Sequence, residues 1–397
     1  MALLEVKNLK VHFEIQDGWV KAVDGVSFTI DSGETMGLVG ESGCGKTTAA
    51  YAITQLLPPN GRIKGGRIFF KEPARVAAFR KEYNDRLKDS TKARQNEISK
   101  VGKRLDELNR SGIDSGPELD ELKDRLSALK FSYDLLSLSK RKDGSLDDYN
   151  EDIRKIRWTQ ISMIFQGAMN AFNPVFKVGD QIVEAITLHE DVDDSAARKR
   201  ARELFEFVGI APDRIDNYPH EFSGGMKQRA MIALALALNP SFIIADEPTT
   251  ALDVITQDRI LAEIRRLQEQ LEMAMMIITH DVSVVAEVSD KIGVMYAGLI
   301  MEIGQTAQVF RDTAHPYTAG LLGSFPSIKG EKKRLVSIPG FPPDLVTPPS
   351  GCPFHPRCQY AQKRCEEERP KGIAIEPGHI SYCHFAKELW EKLRRSA

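Results

Sequence analysis

The chain contains Gly40-Glu41-Ser42-Gly43-Cys44-Gly45-Lys46-Thr47, which fits the pattern G-x-x-x-x-G-K-[ST]. The apolar run at 35–39 predicts a strand before this segment, and 46–57 predicts a helix that stops at Pro58. Strand, glycine loop and helix form the context that the pattern needs, and a chance match in such a chain is on the order of 1%. The segment therefore predicts a phosphate-binding loop in an α/β fold.

Such a loop binds phosphate mainly through its backbone. Glycines let the chain curl so that successive N–H groups point at phosphate oxygens near the positive end of a helix. Lys46 adds a positive charge, and the Thr47 hydroxyl is a ligand for Mg²⁺. We therefore expect bound ATP and Mg²⁺. The expected contacts are Gly40, Ser42, Gly43, Gly45, Lys46, Thr47 and Thr48.

Two further motifs follow the loop in a fixed order. Phe242-Ile243-Ile244-Ala245 predicts a buried strand that ends in Asp246 and Glu247. We expect Asp246 to hold Mg²⁺ through water and Glu247 to polarise the attacking water. Upstream, Ser223-Gly224-Gly225 opens a predicted helix, so its N–H groups and the Ser223 hydroxyl can also bind phosphate.

Taken in order, these motifs resemble the nucleotide-binding subunits of ABC transporters. The resemblance implies that Ser223, Gly224 and Gly225 bind the ATP held by a partner subunit. It assigns Gln166, at a predicted strand end, to the metal or water and to the surface that faces membrane subunits. His280 is implied at the γ-phosphate, and Asp253 at the opposite site.

An aromatic residue stacks on adenine in this family, and Phe13 lies in the matching N-terminal segment. Trp19 is a rival for the same role, and either side chain is also suited to the core. The segment Phe222-Ser223-Gly224-Gly225-Met226 is the signature segment of this resemblance. It departs from the family at Phe222 and Met226, where Leu and Gln are usual. Neither departure removes a phosphate-binding group.

Composition limits the class of protein. Charged residues make up 28% of the 397 residues and the formal net charge is −2, which argues against a nucleic-acid partner. The N-terminus lacks a signal-peptide core, and no apolar run approaches the roughly 18 residues of a membrane span. We expect a peripheral protein at the cytoplasmic face of the cell membrane, bound through partner proteins.

A charged segment separates two parts of the predicted ATPase domain. Leu119, Leu122, Leu126, Leu129, Tyr133 and Leu136 recur at helical spacing, as do Ile98, Val101, Leu105 and Leu108. The pattern predicts an antiparallel helical hairpin over 73–137, more often a solvated decoration than a binding arm. The ATPase domain, an ABC-type P-loop core with a helical subdomain, then covers 1–72 and 138–310.

The tail, 311–397, is predicted to be a separate, loop-rich module. Cys352, Cys358, Cys365 and Cys383 have five, six and seventeen residues between them, without the close pairs usual for structural zinc. His315-Pro316-Tyr317-Thr318 and 351–358 resemble the tail of dipeptide/oligopeptide-type ABC ATPases. That resemblance implies a structural [4Fe–4S] cluster on the four cysteines, with zinc as the alternative. Replacing one cysteine is then expected to leave ATP binding largely intact.

The combined hypothesis is the ATPase subunit of an ABC importer of peptides or oligosaccharides. The resemblance implies a paralogous ATPase as partner, two multi-span permeases, and indirectly an extracellular solute-binding protein. A soluble ABC ATPase of chromosome maintenance, which carries coiled-coil insertions, is the alternative. It is disfavoured because this insertion is short, precedes Gln166 and is joined to a transporter-type tail.

Overall fold

The computed structural model describes residues 2–71, 91–110, 122, 132–136, 141, 143, 145–146, 151–167, 171–249, 254–324 and 338–394. The strands in these ranges are β1 Ala2–Ile15, β2 Gly18–Asp31, β3 Thr35–Val39, β4 Gly61–Lys71, β5 Ser132–Asp134, β6 Ile161–Ile164, β7 Phe242–Asp246, β8 Ala274–Thr279, β9 Lys291–Tyr296, β10 Leu299–Gln305, β11 Ile373–Glu376 and β12 His379–Ser381. The helices are α1 Lys46–Ile53, α2 Thr91–Arg110, α3 Glu151–Ile156, α4 Val178–His189, α5 Asp194–Phe207, α6 Gly224–Ala235, α7 Val254–Leu271, α8 Val282–Val288, α9 Thr306–Arg311, α10 Pro316–Gly323, α11 Lys363–Glu367 and α12 Ala386–Arg394. No helix within these ranges is long and apolar enough to cross a membrane.

A mainly parallel sheet forms the centre of the molecule, with the strand order β11-β12-β10-β9-β3-β8-β7-β6. The pairs β9/β3, β3/β8, β8/β7 and β7/β6 are parallel. Every residue of β3, β7 and β8 is buried. Such apolar strands are typical of a parallel sheet covered on both faces. The predicted α/β core is therefore confirmed.

A second, antiparallel sheet has the order β2-β1-β4-β5. Its apolar side chains pack with α1 and one face of the central sheet in a single core cluster. The opposite face packs against α4, α5 and α6, which form the predicted helical subdomain. The phosphate-loop segment therefore joins β3 of the central sheet to α1, and both elements are packed in the core.

The described part of the predicted hairpin differs from the prediction at one end. Helix α2 carries the apolar stripe, since Val101, Leu105 and Leu108 are buried together against Leu122. Tyr133, however, belongs to β5 and pairs with Phe70 of β4. Cross-strand pairing outweighs the helical spacing at this position, so the inserted segment ends before Ser132. Most of the predicted second arm lies outside the described residues.

The tail is not a separate module in the structure. Strand β12 pairs with β10 of the core and β11 pairs with β12, so the tail extends the central sheet. Behind this junction, His379 Nε2 lies 2.8 Å from Glu302 Oε1, and both side chains are fully buried. Ala314 also donates its N–H to Glu302 Oε1 at 2.7 Å. A buried polar group needs such partners, so these contacts tie the tail to the core.

We predict that the insertion between β4 and β5 is dispensable for ATP hydrolysis, and the register of these strands shows where it can be removed. Lys71 and Ser132 are paired across the two strands, so a two-residue Asn-Gly turn can replace 72–131. We expect the ATPase activity of the assembled complex to stay within about fivefold of the parent, because no predicted site residue is removed. Steady-state phosphate release measures it.

A longer deletion is the matched control. Extending it to residue 137 removes Leu135 and Leu136, which are 1% and 3% exposed in the core. Loss of two buried leucines costs about 2–5 kcal/mol each, so this control should lower the thermal midpoint markedly. A collapse of turnover in the shorter deletion, with its midpoint unchanged, would show a mechanical or regulatory role for the segment.

Candidate functional site

The phosphate-loop segment has a conformation that requires glycine at two positions. Gly40 and Gly45 have φ values of 154° and 103°, and Gly43 also has a positive φ, of 79°. A Cβ on Gly40 would lie 2.1 Å from the Met295 carbonyl oxygen, and one on Gly45 would lie 2.0 Å from that of Ala22. The loop is thus curled tightly against β9 and β2, as a backbone cradle for phosphate requires.

Lys46 lies at the start of α1 and points back into this loop. Its side chain donates to the carbonyl oxygens of Gly40 at 2.8 Å and Glu41 at 3.1 Å. The residue is only 6% exposed, and Cys44 Sγ lies 3.6 Å from Nζ. Burial raises the pKa of the Cys44 thiol, and the Lys46 charge opposes this shift. The loop therefore holds the buried Lys46 ammonium against its own backbone.

Asp246 and Thr47 provide the donor set expected for Mg²⁺. Asp246 ends β7 and is 1% exposed, and among the described residues neither carboxylate oxygen has a hydrogen-bond partner within normal distance. Burial raises its pKa, and the nearby Thr47 hydroxyl only partly offsets this rise. An orphaned buried carboxylate is rare unless a ligand completes it. Carboxylate and hydroxyl oxygens suit Mg²⁺, so these residues fit the ion.

Three of the predicted catalytic residues meet at one point. Gln166 donates its side-chain amide to Glu247 Oε2 at 2.7 Å, and His280 Nδ1 lies 3.1 Å from Glu247 Oε1. Glu247 has a left-handed backbone, with φ of 47°, and donates its N–H to the Ile278 carbonyl at 2.7 Å. A strained non-glycine residue of this kind is common at functional sites. The two neighbours orient the carboxylate of Glu247.

The signature segment lies on a different part of the molecule. Ser223 caps α6, because its hydroxyl accepts the N–H of Met226 at 3.3 Å. Its side chain is exposed, whereas Phe222 is buried in the helical subdomain. Among the described residues, no hydrogen bond or ion pair joins Ser223, Gly224 or Gly225 to the loop of Lys46. The exposed Ser223 hydroxyl at this helix start therefore caps its own helix and is not engaged with the chain's phosphate loop in the described residues.

The aromatic candidates differ in their surroundings. Phe13 of β1 is half-buried and packs against the core. Trp19 of β2 has the Lys64 ammonium 3.5 Å from its ring centroid, so one of its faces is already covered. This favours Phe13 for stacking on adenine, which stays a prediction. Asp253 lies outside the described residues.

The four tail cysteines line one cavity, and none forms a disulfide. Burial raises the pKa of Cys352 to about 11 and of Cys383 to about 12, and raises that of Cys358. Among the described residues, no group of three or more His, Cys, Asp or Glu side chains is arranged to hold a metal ion. The structure therefore does not support the predicted [4Fe–4S] cluster or its zinc alternative.

One contact of the site has no signal in the sequence. Arg357 of the tail forms a two-pronged ion pair with Glu41 of the phosphate loop, at 2.7 and 2.9 Å. The two residues are 316 positions apart, and Glu41 fills a variable position of the motif. Only their meeting in the fold reveals the pair.

Comparison with known proteins identifies the family. A sequence model of the ABC transporter family matches residues 23–144 and 134–250, and one of the oligopeptide/dipeptide transporter C-terminal region matches 301–365. The chain belongs to the ABC transporter ATP-binding proteins. Within this family it belongs with the oligopeptide and dipeptide transport ATP-binding proteins, as its relatives show.

Three relatives match over nearly the whole chain. The oligopeptide transport ATP-binding protein OppD of Haemophilus influenzae is 37% identical, over 97% of this chain and 98% of that protein. OppD of Bacillus subtilis is 39% identical, over 95% and 87%. The dipeptide transport ATP-binding protein DppD of Bacillus subtilis is 38% identical, over 96% and 94%. These matches do not favour the chromosome-maintenance alternative.

Solved structures show the fold alone. A dimeric ATP-binding cassette, MJ0796, bound to ADP and Pi has a TM-score of 0.51 at 20% identity, over 76% of this chain and 98% of that one. The cbiO1 protein of Clostridium perfringens also has a TM-score of 0.51, at 22% identity over 78% and 90%. The family assignment makes this ABC protein an ATPase, for which ATP and Mg²⁺ are the expected ligands.

The cluster around Glu247 predicts the behaviour of two variants. Glu247→Gln keeps the shape but removes the carboxylate, so we expect turnover to fall by about 10²- to 10⁴-fold with ATP still bound. Lys46→Ala removes the buried cation, and we expect ATP affinity to fall at least about tenfold. Phosphate release by the complex and titration with methylanthraniloyl-ATP measure the two effects.

Glu269→Gln is the matched control, since Glu269 lies on the surface of α7 and forms an ion pair with exposed Arg265. It should have parental activity. Near-normal turnover in Glu247→Gln would remove Glu247 from the catalytic role.

Proposed function

We propose that this chain is the ATP-hydrolysing subunit of an importer that takes up peptides, with oligosaccharides as the alternative solute. The observation that carries the proposal is the match of residues 301–365 to the oligopeptide/dipeptide transporter C-terminal region. It is supported by the names of the relatives, which are oligopeptide and dipeptide transport proteins. The chain matches each of them over 87% or more of its length.

In this proposal the residues around β7 carry out hydrolysis. Glu247 accepts a proton from, or orients, the attacking water, while Gln166 and His280 hold its carboxylate in one direction. Lys46 and the loop N–H groups bind the β- and γ-phosphates, and Asp246 with Thr47 would hold Mg²⁺. The metal, when bound, neutralises charge that develops on the phosphates.

A second ATPase subunit is needed to complete the site. Ser223 is exposed, and neither its hydroxyl nor the start of α6 makes a hydrogen bond to the chain's own loop among the described residues, so both are available to the ATP of a partner. We propose a paralogous subunit as this partner. ATP would close the pair and hydrolysis would reopen it, which drives two permeases between their inward- and outward-facing states.

Purification of the intact complex tests this arrangement. We expect a tag on this chain to bring down one copy of it, a second and different ATPase, and two multi-span permeases, with the ATPases at the cytoplasmic face of the membrane. Quantitative mass spectrometry gives the copy numbers. Two copies of this chain with no second ATPase would contradict the heterodimer.

Reconstitution in vesicles tests the solute. With the solute-binding protein added, we expect ATP-dependent uptake of labelled peptides, and no uptake by the complex that carries Glu247→Gln. Uptake of oligosaccharides instead of peptides would change the substrate class and leave the ATPase assignment intact.

We further propose that the four cysteines bind the structural [4Fe–4S] cluster implied by the family resemblance. Its support is that all four thiols line one cavity. The described side chains are not in coordinating positions, and metal binding would have to deprotonate them. No step of hydrolysis depends on this cluster.

Metal analysis decides between the possibilities. Protein purified without oxygen should be brown and contain about four irons and four acid-labile sulfides per chain. Cys352→Ser should lose the iron, whereas Cys44→Ser, outside the tail, should retain it. Stoichiometric zinc would support the alternative, and the absence of both metals would overturn the proposal.

A further inference from the structure

Two tail residues hold the phosphate loop at Glu41. Arg357 Nη1 donates to Glu41 Oε2 at 2.7 Å, and Nη2 donates to Oε1 at 2.9 Å. Tyr317, at the start of α10, accepts the backbone N–H of Glu41 at 2.9 Å. The tail therefore fixes both the side chain and the backbone of this loop residue.

Glu41 in turn holds the phosphate-binding lysine. Its carbonyl oxygen accepts Lys46 Nζ at 3.1 Å and the Cys44 N–H at 3.3 Å. Hydrogen bonds therefore run from the tail through Glu41 to the buried ammonium of Lys46. A shift of Glu41 would change the position of the carbonyl that Lys46 binds.

The groups that hold Glu41 are themselves rigid. Arg357 Nε donates to the Pro339 carbonyl at 2.8 Å, and Nη1 also donates to the Tyr296 hydroxyl at 3.2 Å. The rings of Tyr296, Tyr317 and Phe354 pack with centroid separations of 4.6 to 5.4 Å. Side chains locked by such packing can position a neighbour accurately.

The ion pair is also shielded from water. The side chains of Arg357 and Glu41 are 6% and 24% exposed. Bidentate guanidinium–carboxylate pairs are among the stronger polar contacts, and burial increases their strength. If Arg357 were removed, a partly buried carboxylate would be left without its partner, next to the loop that binds an anion.

We propose that Arg357 and Tyr317 are positioning residues for the phosphate loop, and that the C-terminal segment thereby sets the affinity for ATP. The inference rests on the proposed ATP site at Lys46. The two residues act only through Glu41 and do not touch the reacting groups. ATP affinity should therefore change more than the rate of hydrolysis.

Replacement of Arg357 tests this directly. In Arg357→Gln we expect the affinity of the full-length chain for methylanthraniloyl-ATP to fall about tenfold. In the assembled complex the KM for ATP should rise by a similar factor, with kcat within about twofold of the parent. Tyr317→Phe removes only the acceptor for the Glu41 N–H and should weaken binding less.

Arg369→Gln is the matched control. Arg369 is also a tail arginine that pairs with a core carboxylate, Asp24, at 3.0 Å, but it does not contact the phosphate loop. It should leave ATP affinity unchanged. Equal losses of affinity in Arg369→Gln and Arg357→Gln would mean a general loosening of the tail and would overturn the inference.

A double-mutant cycle tests the route through Glu41. In the Glu41→Gln background, Arg357→Gln should have little further effect on affinity, because the partner charge is already gone. Independent, multiplicative effects would contradict the proposal, as would unchanged affinity in Arg357→Gln. If Lys46→Ala also kept full affinity, the ATP site itself would be misassigned. A loss in Lys46→Ala alone would reject only the role of the tail.

Discussion

The parallel register of β3, β8 and β7 is the constraint on which the site depends. Val39 is paired with Thr279, and Asp246 with Ile278, so three strands end at one edge of the sheet. The residues that follow these ends are the phosphate loop, Glu247 and His280. Ligands of open α/β sheets bind at this carboxyl edge, because the loops there converge while the strands stay rigid. The strand register thus brings residues that are distant in sequence close together in space.

Burial at this edge gives each group its chemistry. Asp246 is nearly inaccessible, and this burial raises the pKa of its carboxyl group despite the nearby Thr47 hydroxyl, so a bound cation would stabilise the charged form. Glu247, one residue later, has Gln166 and His280 as neighbours. Two adjacent carboxylates therefore have different environments, as the different roles predicted for them, metal binding for Asp246 and water orientation for Glu247, would require.

The sequence predicted the parts of the fold that depend on local pattern. Glycine spacing, apolar runs and the order of motifs are enough for the parallel core and for the meeting of Gln166, Glu247 and His280. Helical spacing was misleading at Tyr133, where pairing with Phe70 decides the structure. The joining of β12 to β10 was also missed, because β11 and β12 are too short to show a clear period. Contacts such as Arg357 with Glu41 have no local signal, since they depend on how the chain returns to its core.

The sequence predicts that a cysteine replacement leaves ATP binding largely intact, whereas the positioning role proposed for Arg357 and Tyr317 predicts a coupling between the cysteine segment and the ATP site. Phe354 and Arg357 lie between Cys352 and Cys358, and one packs on Tyr317 while the other binds Glu41. Any change that loosens the chain around these thiols moves groups that hold the phosphate loop. The conformation of the tail therefore bears on the phosphate loop as well as on the stability of the tail itself. In the proposal made above, its folding and the affinity for ATP are coupled through buried Arg357 and through Tyr317 beside it.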